Sequence, residues 1–249
     1  MPHTISIVIP ILNEVNTILK LITQLNKTAT ARYVIEIILV DGGSNDGTLK
    51  LIETYRYSNA IASKHDEHTR PIPLFLIHSE KGRAKQMNVG ANKAKGNILY
   101  FLHADSFPPK NFDKSIVNEI KKGNFAGCFQ MRFDSSHWWL RLAGWLTRFN
   151  WRACRGGDQS QFITASLFRS IGGFDERYVI YEDHILINAL YQRNTFVVIK
   201  DKLVTSSRLY EKKGVWRLQY HFFAIYVKKW LGASPEDLYH YYVTHVKNA

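Results

Sequence analysis

The stretch VIEIILVDGGSNDGT, residues 34–48, decides the fold. It begins as an apolar, β-branched run, ends that run at Asp41 and passes into a cluster of glycines and short polar residues. Apolar residues at helical spacing follow it, so a buried strand, a tight turn and a helix are expected in that order. A strand that leads through a helix to another strand is the repeating unit of a parallel α/β sheet.

The same alternation continues on both sides of this stretch. Short apolar runs predict three more strands, at residues 5–9, 74–77 and 98–102. Helical spacing predicts helices that begin at Asn13 and at Gly82. In parallel sheets with right-handed crossovers, ligands bind beyond the carboxyl ends of the strands. Asp41 and Asp105 each follow a predicted strand, so we expect both carboxylates at one edge of the sheet.

The second half of the chain is less regular. Its predicted strands are residues 125–133, 161–168 and 196–204. Its predicted helices are residues 138–151, 182–191, 215–229 and 235–246. The polar segment at residues 57–70 is typical of a surface loop. Because 249 residues are a tight fit for two α/β domains, we predict a single domain.

Composition narrows the class of protein. The formal net charge of +12 suits nucleotide phosphates, nucleic acid or an anionic membrane surface, although a solvated basic surface is the alternative. Cys128 and Cys154 are far apart in the chain and are expected to be free thiols in a reducing compartment. With no recognisable signal peptide and no apolar run of about 20 residues, we expect a cytoplasmic protein, soluble or peripheral to the inner face of the cell membrane.

Acidic residues at three places can carry chemistry. Asp41, beside glycines at a strand end, can accept hydrogen bonds from a nucleobase or a ribose. Asp105 suits a hard cation such as Mg²⁺ or Mn²⁺ that bridges phosphate oxygens. Glu182 and Asp183 open a predicted helix, where one carboxylate can act as a general base. Each place also has a structural interpretation, as a loop, a cap or a favourable charge at a helix N-terminus.

Taken together, the motifs resemble those of the inverting family-2 glycosyltransferases of the GT-A fold. The segments that carry the resemblance are Val8–Glu14, Leu39–Thr48, Gly82–Ala91, Phe101–Asp105, Gly172–Asp175 and Glu182–Asp183. The resemblance implies a Rossmann-like, mostly parallel twisted sheet flanked by helices. It also implies a nucleotide-binding half over residues 1–105, an acceptor half over residues 106–210 and C-terminal helices over residues 211–249.

The resemblance implies transfer of a sugar from a nucleotide-diphosphate sugar, with UDP as the default nucleotide by family frequency. Asp41 is expected to contact the base. The nucleotide pocket is further expected to include Pro10, Asn13, Glu14, Ser44, Arg83, Gln86, His103, Ala104 and Asp105. The acceptor is open between a small molecule, a glycan and a lipid.

The resemblance also assigns the metal ligand and the catalytic base. Asp105 matches the last acid of the family's D-x-D motif, which holds Mg²⁺ or Mn²⁺, and Asp183 matches the catalytic base, with Glu182 beside it. This chain departs from the motif because its first acid is His103. A neutral imidazole can bind a metal or donate to a phosphate, but it supplies no negative charge, so a lower metal affinity is expected.

The histidine is a feature of a narrower group. The chain is similar here to a bacterial subgroup labelled for arsenosugar biosynthesis, and Gly157–Phe162 and Trp230–Pro235 share that similarity. Asp158 and Gln159, in the first of these segments, are candidates for sugar or acceptor contacts, with a plain polar loop as the alternative. Arg208 is a candidate partner of the diphosphate, because guanidinium groups suit phosphate geometry.

Aromatic and basic residues are concentrated in the segment Trp138–Arg155, which holds four tryptophans, four arginines and no acid. A helix of this composition can lie in a membrane interface, as can the aromatic C-terminal helices, and a lipid acceptor would then be attractive. We favour the alternative that these helices pack on the sheet or on a second subunit in a homodimer, since amphipathic helices usually face a core.

Two other functions compete with the transferase. A non-catalytic nucleotide-binding or nucleic-acid-binding protein would explain the basic charge, but no nucleic-acid-binding motif is present, so we expect no nucleic-acid partner. A dinucleotide-dependent oxidoreductase lacks the glycine fingerprint after the first strand. A catalytically degenerate transferase stays open because of His103.

Overall fold

The computed structural model describes residues 2–30, 32–62, 71–156 and 159–247. The strands are β1 (Ile5–Ile11), β2 (Val34–Asp41), β3 (Leu74–His78), β4 (Ile98–Phe101), β5 (Ser106–Phe107), β6 (Ala126–Phe133), β7 (Gln161–Thr164) and β8 (Phe196–Thr205). The helices are α1 (Ile18–Thr28), α2 (Thr48–Ala62), α3 (Arg83–Lys93), α4 (Phe112–Lys121), α5 (Trp138–Leu146), α6 (Ala165–Ile171), α7 (Glu182–Gln192), α8 (Arg208–Lys213), α9 (Val215–Trp230) and α10 (Pro235–Tyr242). Shorter helical turns are Arg152–Cys154 and Val243–Lys247.

The strands form one mixed sheet in the order β3-β2-β1-β4-β7-β6-β8-β5. β1 pairs in parallel with β2 and β4, and β2 pairs in parallel with β3. β7 runs antiparallel between β4 and β6. The carboxyl ends of β1 to β4 therefore meet at one edge of the sheet, which confirms the predicted α/β fold.

Alternate residues of each central strand enter different cores, because successive side chains point to opposite faces of a sheet. On one face, the odd-numbered isoleucines of β1 pack with α1, whose buried stripe is Ile18, Leu21, Ile22 and Leu25. On the other face, Val8 packs with Met87 and Ala91 of α3. Both faces of the parallel half are thus covered by helices, as its continuous apolar runs require.

The helix predicted from Asn13 begins five residues later, at Ile18. Asn13 has a left-handed backbone with φ of 58°, and its amide N–H donates to Ser44 Oγ at 2.9 Å. Its side-chain oxygen accepts from the Asn45 N–H at 2.9 Å. Asn13 therefore joins two loops and does not start the helix, so the predicted start of the helix was wrong.

Other boundaries also differ from the sequence prediction. α2 continues to Ala62, so a loop over residues 57–62 was wrong, and residues 63–70 lie outside the described residues. The predicted strand 161–168 stops at Thr164, whose hydroxyl accepts the Leu167 N–H and caps α6. α5 ends at Leu146 instead of residue 151. Directly after Leu146, the Thr147 hydroxyl donates to the Gly144 carbonyl oxygen.

The C-terminal helices extend the fold beyond the sheet. Leu218 of α9 packs in one cluster with Phe133 of β6 and Leu140 of α5. Ile225 of α9 packs in another with Leu238 of α10 and Tyr178. α8, α4 and β5 were not predicted from the sequence. The single domain, with its boundaries at residues 105 and 210, stays a prediction.

Candidate active site

Two loops at the carboxyl edge of the sheet are joined by hydrogen bonds. Besides the Asn13 contacts, the Glu14 N–H donates to Thr48 Oγ1 at 2.9 Å, and the Val15 N–H donates to Asp46 Oδ2 at 3.2 Å. These bonds link the loop after β1 to the loop after β2. Side chains predicted to line the nucleotide pocket therefore also set its shape.

Asp41 ends β2 and is 1% exposed. Its carboxylate accepts the backbone N–H groups of Gly43 at 2.9 Å and Ser44 at 3.1 Å. Nδ1 of His78 lies 3.6 Å from Asp41 Oδ2. Sequence reasoning missed His78, although it ends β3 and the rule that identified Asp41 applies to it equally.

Gln86 lies beneath these loops rather than in the open pocket. Its amide nitrogen donates to the carbonyl oxygens of Ile11 at 2.9 Å and Val40 at 2.7 Å, which ties together the ends of β1 and β2. A Cβ atom on Gly42 would lie 3.0 Å from the Gln86 amide, so the glycine makes this close contact possible. Gln86 thus supports the loops, and its predicted contact with a donor stays a prediction.

Asp105, Glu14 and Arg208 meet where the two halves of the chain come together. Burial raises the pKa of Asp105, and the nearby positive charges of Arg208 and Arg83 oppose that rise. Burial also raises the pKa of Glu14, whose Oε2 lies 3.6 Å from Arg208 Nη2. Since Arg208 opens α8, it carries a positive charge from the C-terminal half to the carboxylates of the first half.

The predicted catalytic acids open α7 and share one cation. Arg83 Nη1 lies 3.3 Å from Glu182 Oε1 and 3.5 Å from Asp183 Oδ2. Glu182 is 1% exposed, and burial raises the pKa of its carboxyl while Arg83 opposes the rise. Tyr181, with φ of 73°, makes the sharp turn into the helix. Arg83 comes from α3, so it links the first half of the chain to the acidic pair.

The predicted acceptor residues have different outcomes. Asp158 lies outside the described residues. Gln159 is buried, and its amide nitrogen donates to the Cys154 carbonyl at 3.3 Å. It lines a cavity that Asp183 and Glu182 also line. Its predicted contact with an acceptor stays a prediction.

Arg155, the last residue of the segment Trp138–Arg155, lies in the interior and not on an exposed helix face. It is 2% exposed, and its guanidinium donates to the carbonyl oxygens of Thr147 at 2.5 Å and Phe149 at 2.7 Å. Because α5 ends at Leu146, those carbonyls have no helical partner of their own, and Arg155 holds the chain that follows the helix.

The donor set at Asp105 fits a divalent cation that is completed by its substrate. Among the described residues, no three histidine, cysteine, aspartate or glutamate side chains converge as a ready-made cage. Mg²⁺ commonly uses one or two carboxylates, with phosphate oxygens and water supplying the remaining ligands. One carboxylate, Asp105, beside the second acid Glu14, is compatible with that pattern.

A set of exposed rings, called here the aromatic face, covers α5 and α9. Its members are Trp138 and Trp145 of α5 and Trp216, Tyr220 and Phe223 of α9, which are between 50% and 68% exposed. The ring centroids of Trp138 and Trp216 lie 5.6 Å apart, so the two helices form one surface. The opposite side of α5 packs on the sheet, as predicted, with Leu140 buried. None of the helices in the described ranges is long and apolar enough to cross a membrane.

Comparison with known proteins gives one family. The sequence profile described as "Glycosyl transferase family 2" matches residues 6–172, more than half of the chain. The chain is 25% identical to the undecaprenyl-phosphate 4-deoxy-4-formamido-L-arabinose transferase of Proteus mirabilis over 200 residues. That alignment covers 79% of this chain and 55% of the relative, so the chain spans about half the length of that protein.

Solved structures agree on the fold. The chain resembles Staphylococcus aureus TarS 1–349 in complex with UDP, with a TM-score of 0.64, 19% identity and coverage of 82% of this chain and 60% of the other. It also resembles the mannosyltransferase PcManGT of Pyrobaculum calidifontis in complex with GDP-Man and Mn²⁺, with a TM-score of 0.64, 16% identity and coverage of 98% and 70%. The fold is that of the GT-A glycosyltransferases, and the chain belongs to glycosyl transferase family 2.

Proposed function

We propose that this transferase moves a sugar from a nucleotide-diphosphate sugar to an acceptor oxygen, with inversion at the anomeric carbon. The observation that carries the proposal is the convergence of three predicted groups at one edge of the sheet. These are the Asp41 turn, the carboxylate of Asp105, and the acidic pair Glu182–Asp183 held by Arg83.

Asp41 is suited to bind the base. Its carboxylate accepts two backbone N–H groups, which orient it, and a carboxylate has about four lone-pair sites, so it retains acceptor capacity for a base N–H. UDP is the first nucleotide to test, because TarS is described with UDP. Membership of the arsenosugar-biosynthesis subgroup remains a prediction from His103 and its flanking motifs.

Asp105 would hold Mg²⁺ or Mn²⁺, with the donor diphosphate completing its ligands. A bound cation would neutralise charge that develops on the diphosphate leaving group. Arg208 lies beside the same carboxylates and would supply a second positive charge at the leaving group. The described complex of PcManGT with Mn²⁺ supports testing manganese first.

Asp183 would act as the general base. The acceptor hydroxyl gives its proton to the Asp183 carboxylate as its oxygen forms a bond to the anomeric carbon, and the bond from that carbon to the diphosphate oxygen breaks. One displacement of this kind inverts the anomeric centre. Arg83 holds the ionised carboxylate in place and also acts electrostatically on Asp105, so it connects the base to the leaving-group side.

The donor is tested by calorimetric titration of the full chain with UDP, GDP, dTDP and ADP, in Mn²⁺ and then in EDTA. We expect one nucleotide to bind selectively, with an affinity at least about tenfold higher in Mn²⁺, a difference of about 1.4 kcal/mol. If a folded sample bound none of the four, the proposal of a nucleotide-sugar donor would be rejected, and His103 would be the first residue to question.

The aromatic face is the part of the molecule that we propose lies against an anionic bilayer. The segment Trp138–Arg155 contains three arginines besides the buried Arg155 and no acid, and residues 212–235 contain five lysines and arginines and no acid. Exposed rings beside uncompensated positive charge fit lipid that is negatively charged, as at the cytoplasmic leaflet. This would place the enzyme in the cytoplasm, at the inner face of the membrane.

Vesicle sedimentation tests this surface. The wild-type chain should sediment with vesicles that contain phosphatidylglycerol more than with pure phosphatidylcholine, and less in high salt. The double variant Tyr220→Ala, Phe223→Ala should bind at least about tenfold more weakly, because each ring contributes about 1.5–3 kcal/mol when buried. Phe75→Ala, which removes an exposed ring on β3, is the control. Equal sedimentation of both variants and the wild type would contradict the assignment.

A further inference from the structure

A cavity of about 420 Å³ extends from the acidic pair toward the C-terminal helices. Arg83, Glu182 and Asp183 line it. Its walls are otherwise mainly apolar, and include Phe133, Leu146, Ile180, Leu209, Phe222 and Ile225. The volume is in the range of pockets that bind small organic ligands. The cavity therefore joins the proposed catalytic base to an apolar space.

Several polar groups of the apolar walls already have partners within the protein, whereas Arg155 Nε is buried without one. The Thr147 hydroxyl donates to a backbone carbonyl at 2.6 Å and accepts a backbone N–H at 2.9 Å. The Gln159 amide is bonded at both ends, to a thiol at 3.4 Å and to a backbone carbonyl at 3.3 Å. Gln219 donates to a tyrosine hydroxyl at 3.4 Å. A ligand rich in hydroxyl groups would lose water here for few new hydrogen bonds, which is costly.

The charges of the cavity are concentrated beside the acidic pair. His184 lines the wall, and burial, with the charge of Arg152, lowers its pKa to about 4, so it is neutral near pH 7. Its Nε2 lies 2.5 Å from the hydroxyl of Tyr226. The guanidinium of Arg155 donates to two backbone carbonyls. A ligand in the cavity would therefore meet charged groups mainly at one end, at Arg83, Glu182 and Asp183.

We infer that the acceptor is an amphiphile: a nucleophilic oxygen on an apolar chain, with the oxygen at Asp183 and the chain in this cavity. The inference rests on the proposed function and names its acceptor class. Burying the chain against apolar walls is favourable, whereas the reacting oxygen meets the polar end. Val179, Leu209 and Tyr226 line the cavity and are 39–45% exposed, so a longer chain can leave to the surface there.

Chain length is the property to vary in the test. The full chain, saturated with the nucleotide found in the calorimetric panel, is titrated with n-alkyl β-D-glucosides from butyl to decyl, below their micellar concentrations. Affinity should rise about fourfold for each added methylene, the equivalent of about 0.8 kcal/mol, and level off once the cavity is filled. A parallel series of n-alkyl phosphates distinguishes a hydroxyl head from a phosphate head, and the chain-length dependence in either series supports the inference.

Two variants ask whether this cavity is responsible. Leu209→Glu places a charge at the partly exposed part of the wall, and Ala153→Trp fills space from an exposed position, so neither change disturbs the buried core. Each should weaken binding of the longest probe at least about tenfold, as expected for the loss of two buried methylenes. Leu231→Glu, the same substitution at a leucine that is 74% exposed and outside the cavity, should leave it unchanged.

Affinity that is independent of chain length, or unaltered by both cavity variants, would overturn the inference. Nucleotide binding, measured in the same samples, reports on the proposed function separately. A chain that binds its nucleotide but no alkyl probe is a transferase with a different acceptor class, and the inference fails alone.

Discussion

Asp183→Asn is expected to lower the rate of transfer by about 10²–10⁴-fold, the usual contribution of a general base, and to leave nucleotide affinity unchanged. Asparagine has nearly the shape of aspartate but cannot take the acceptor proton. Arg83 keeps Glu182 as a partner 3.3 Å away, so the start of α7 should stay in place. Steady-state transfer and calorimetric nucleotide titration on the same preparation measure the two quantities.

Two matched variants show whether the effect belongs to Asp183. Asp175→Asn removes an acid that pairs with Arg177 on the surface, and it should leave the rate unchanged. Glu182→Gln neutralises the buried neighbour and should cost less than Asp183→Asn. If Glu182→Gln instead abolished transfer while Asp183→Asn did not, the base would be Glu182. If Asp183→Asn lost nucleotide binding as well, the role of Asp183 would be to bind the donor or to stabilise the fold.

The first half of the fold could be predicted because each of its elements has a local signal. β1, β2 and β4 are mainly apolar runs, as strands covered on both faces must be, and a glycine-rich turn separates β2 from α2. The local signals of the second half are weaker. Thr164 is a residue type favoured at a helix N-cap, and its hydroxyl accepts the Leu167 N–H and caps α6. The aromatic and β-branched residues beside it indicated a continuing strand, so the division of residues 161–168 was missed.

In the candidate site, too, some residues had a sequence signal and others did not. The position of Asp41 and Asp105 followed from the rule for carboxyl ends of parallel strands. In contrast, Arg83 is 100 residues from Asp183 in the chain, and only the resemblance assigned Arg83 to the nucleotide pocket and Asp183 to the catalytic base. The supporting roles of Gln86 and Arg155 had no sequence signal. The sequence does not distinguish a buried glutamine or arginine that binds backbone carbonyls from an exposed one.

Asp105→Asn is expected to remove the metal dependence of nucleotide binding. The variant should bind in Mn²⁺ no better than the wild type binds in EDTA, a loss of at least about tenfold or about 1.4 kcal/mol. The physical reason is that a divalent cation binds a carboxylate more strongly than a neutral amide oxygen, and the substitution removes one full negative charge. Titration of the variant with the selected nucleotide, in Mn²⁺ and in EDTA, measures the change.

The neighbouring residues make this prediction specific. Asp134, which acts electrostatically on Asp105, accepts the Ser207 N–H at 2.6 Å, and Asp134→Asn keeps that acceptor while it removes a nearby charge. The Asp134→Asn variant should retain metal-dependent nucleotide binding. His103→Asp restores the second acid of the D-x-D pattern and should raise metal affinity, because it supplies the negative charge that a neutral imidazole lacks. Unchanged metal dependence in Asp105→Asn would mean that the cation is held by other residues, and no gain in His103→Asp would mean that residue 103 does not contact the cation.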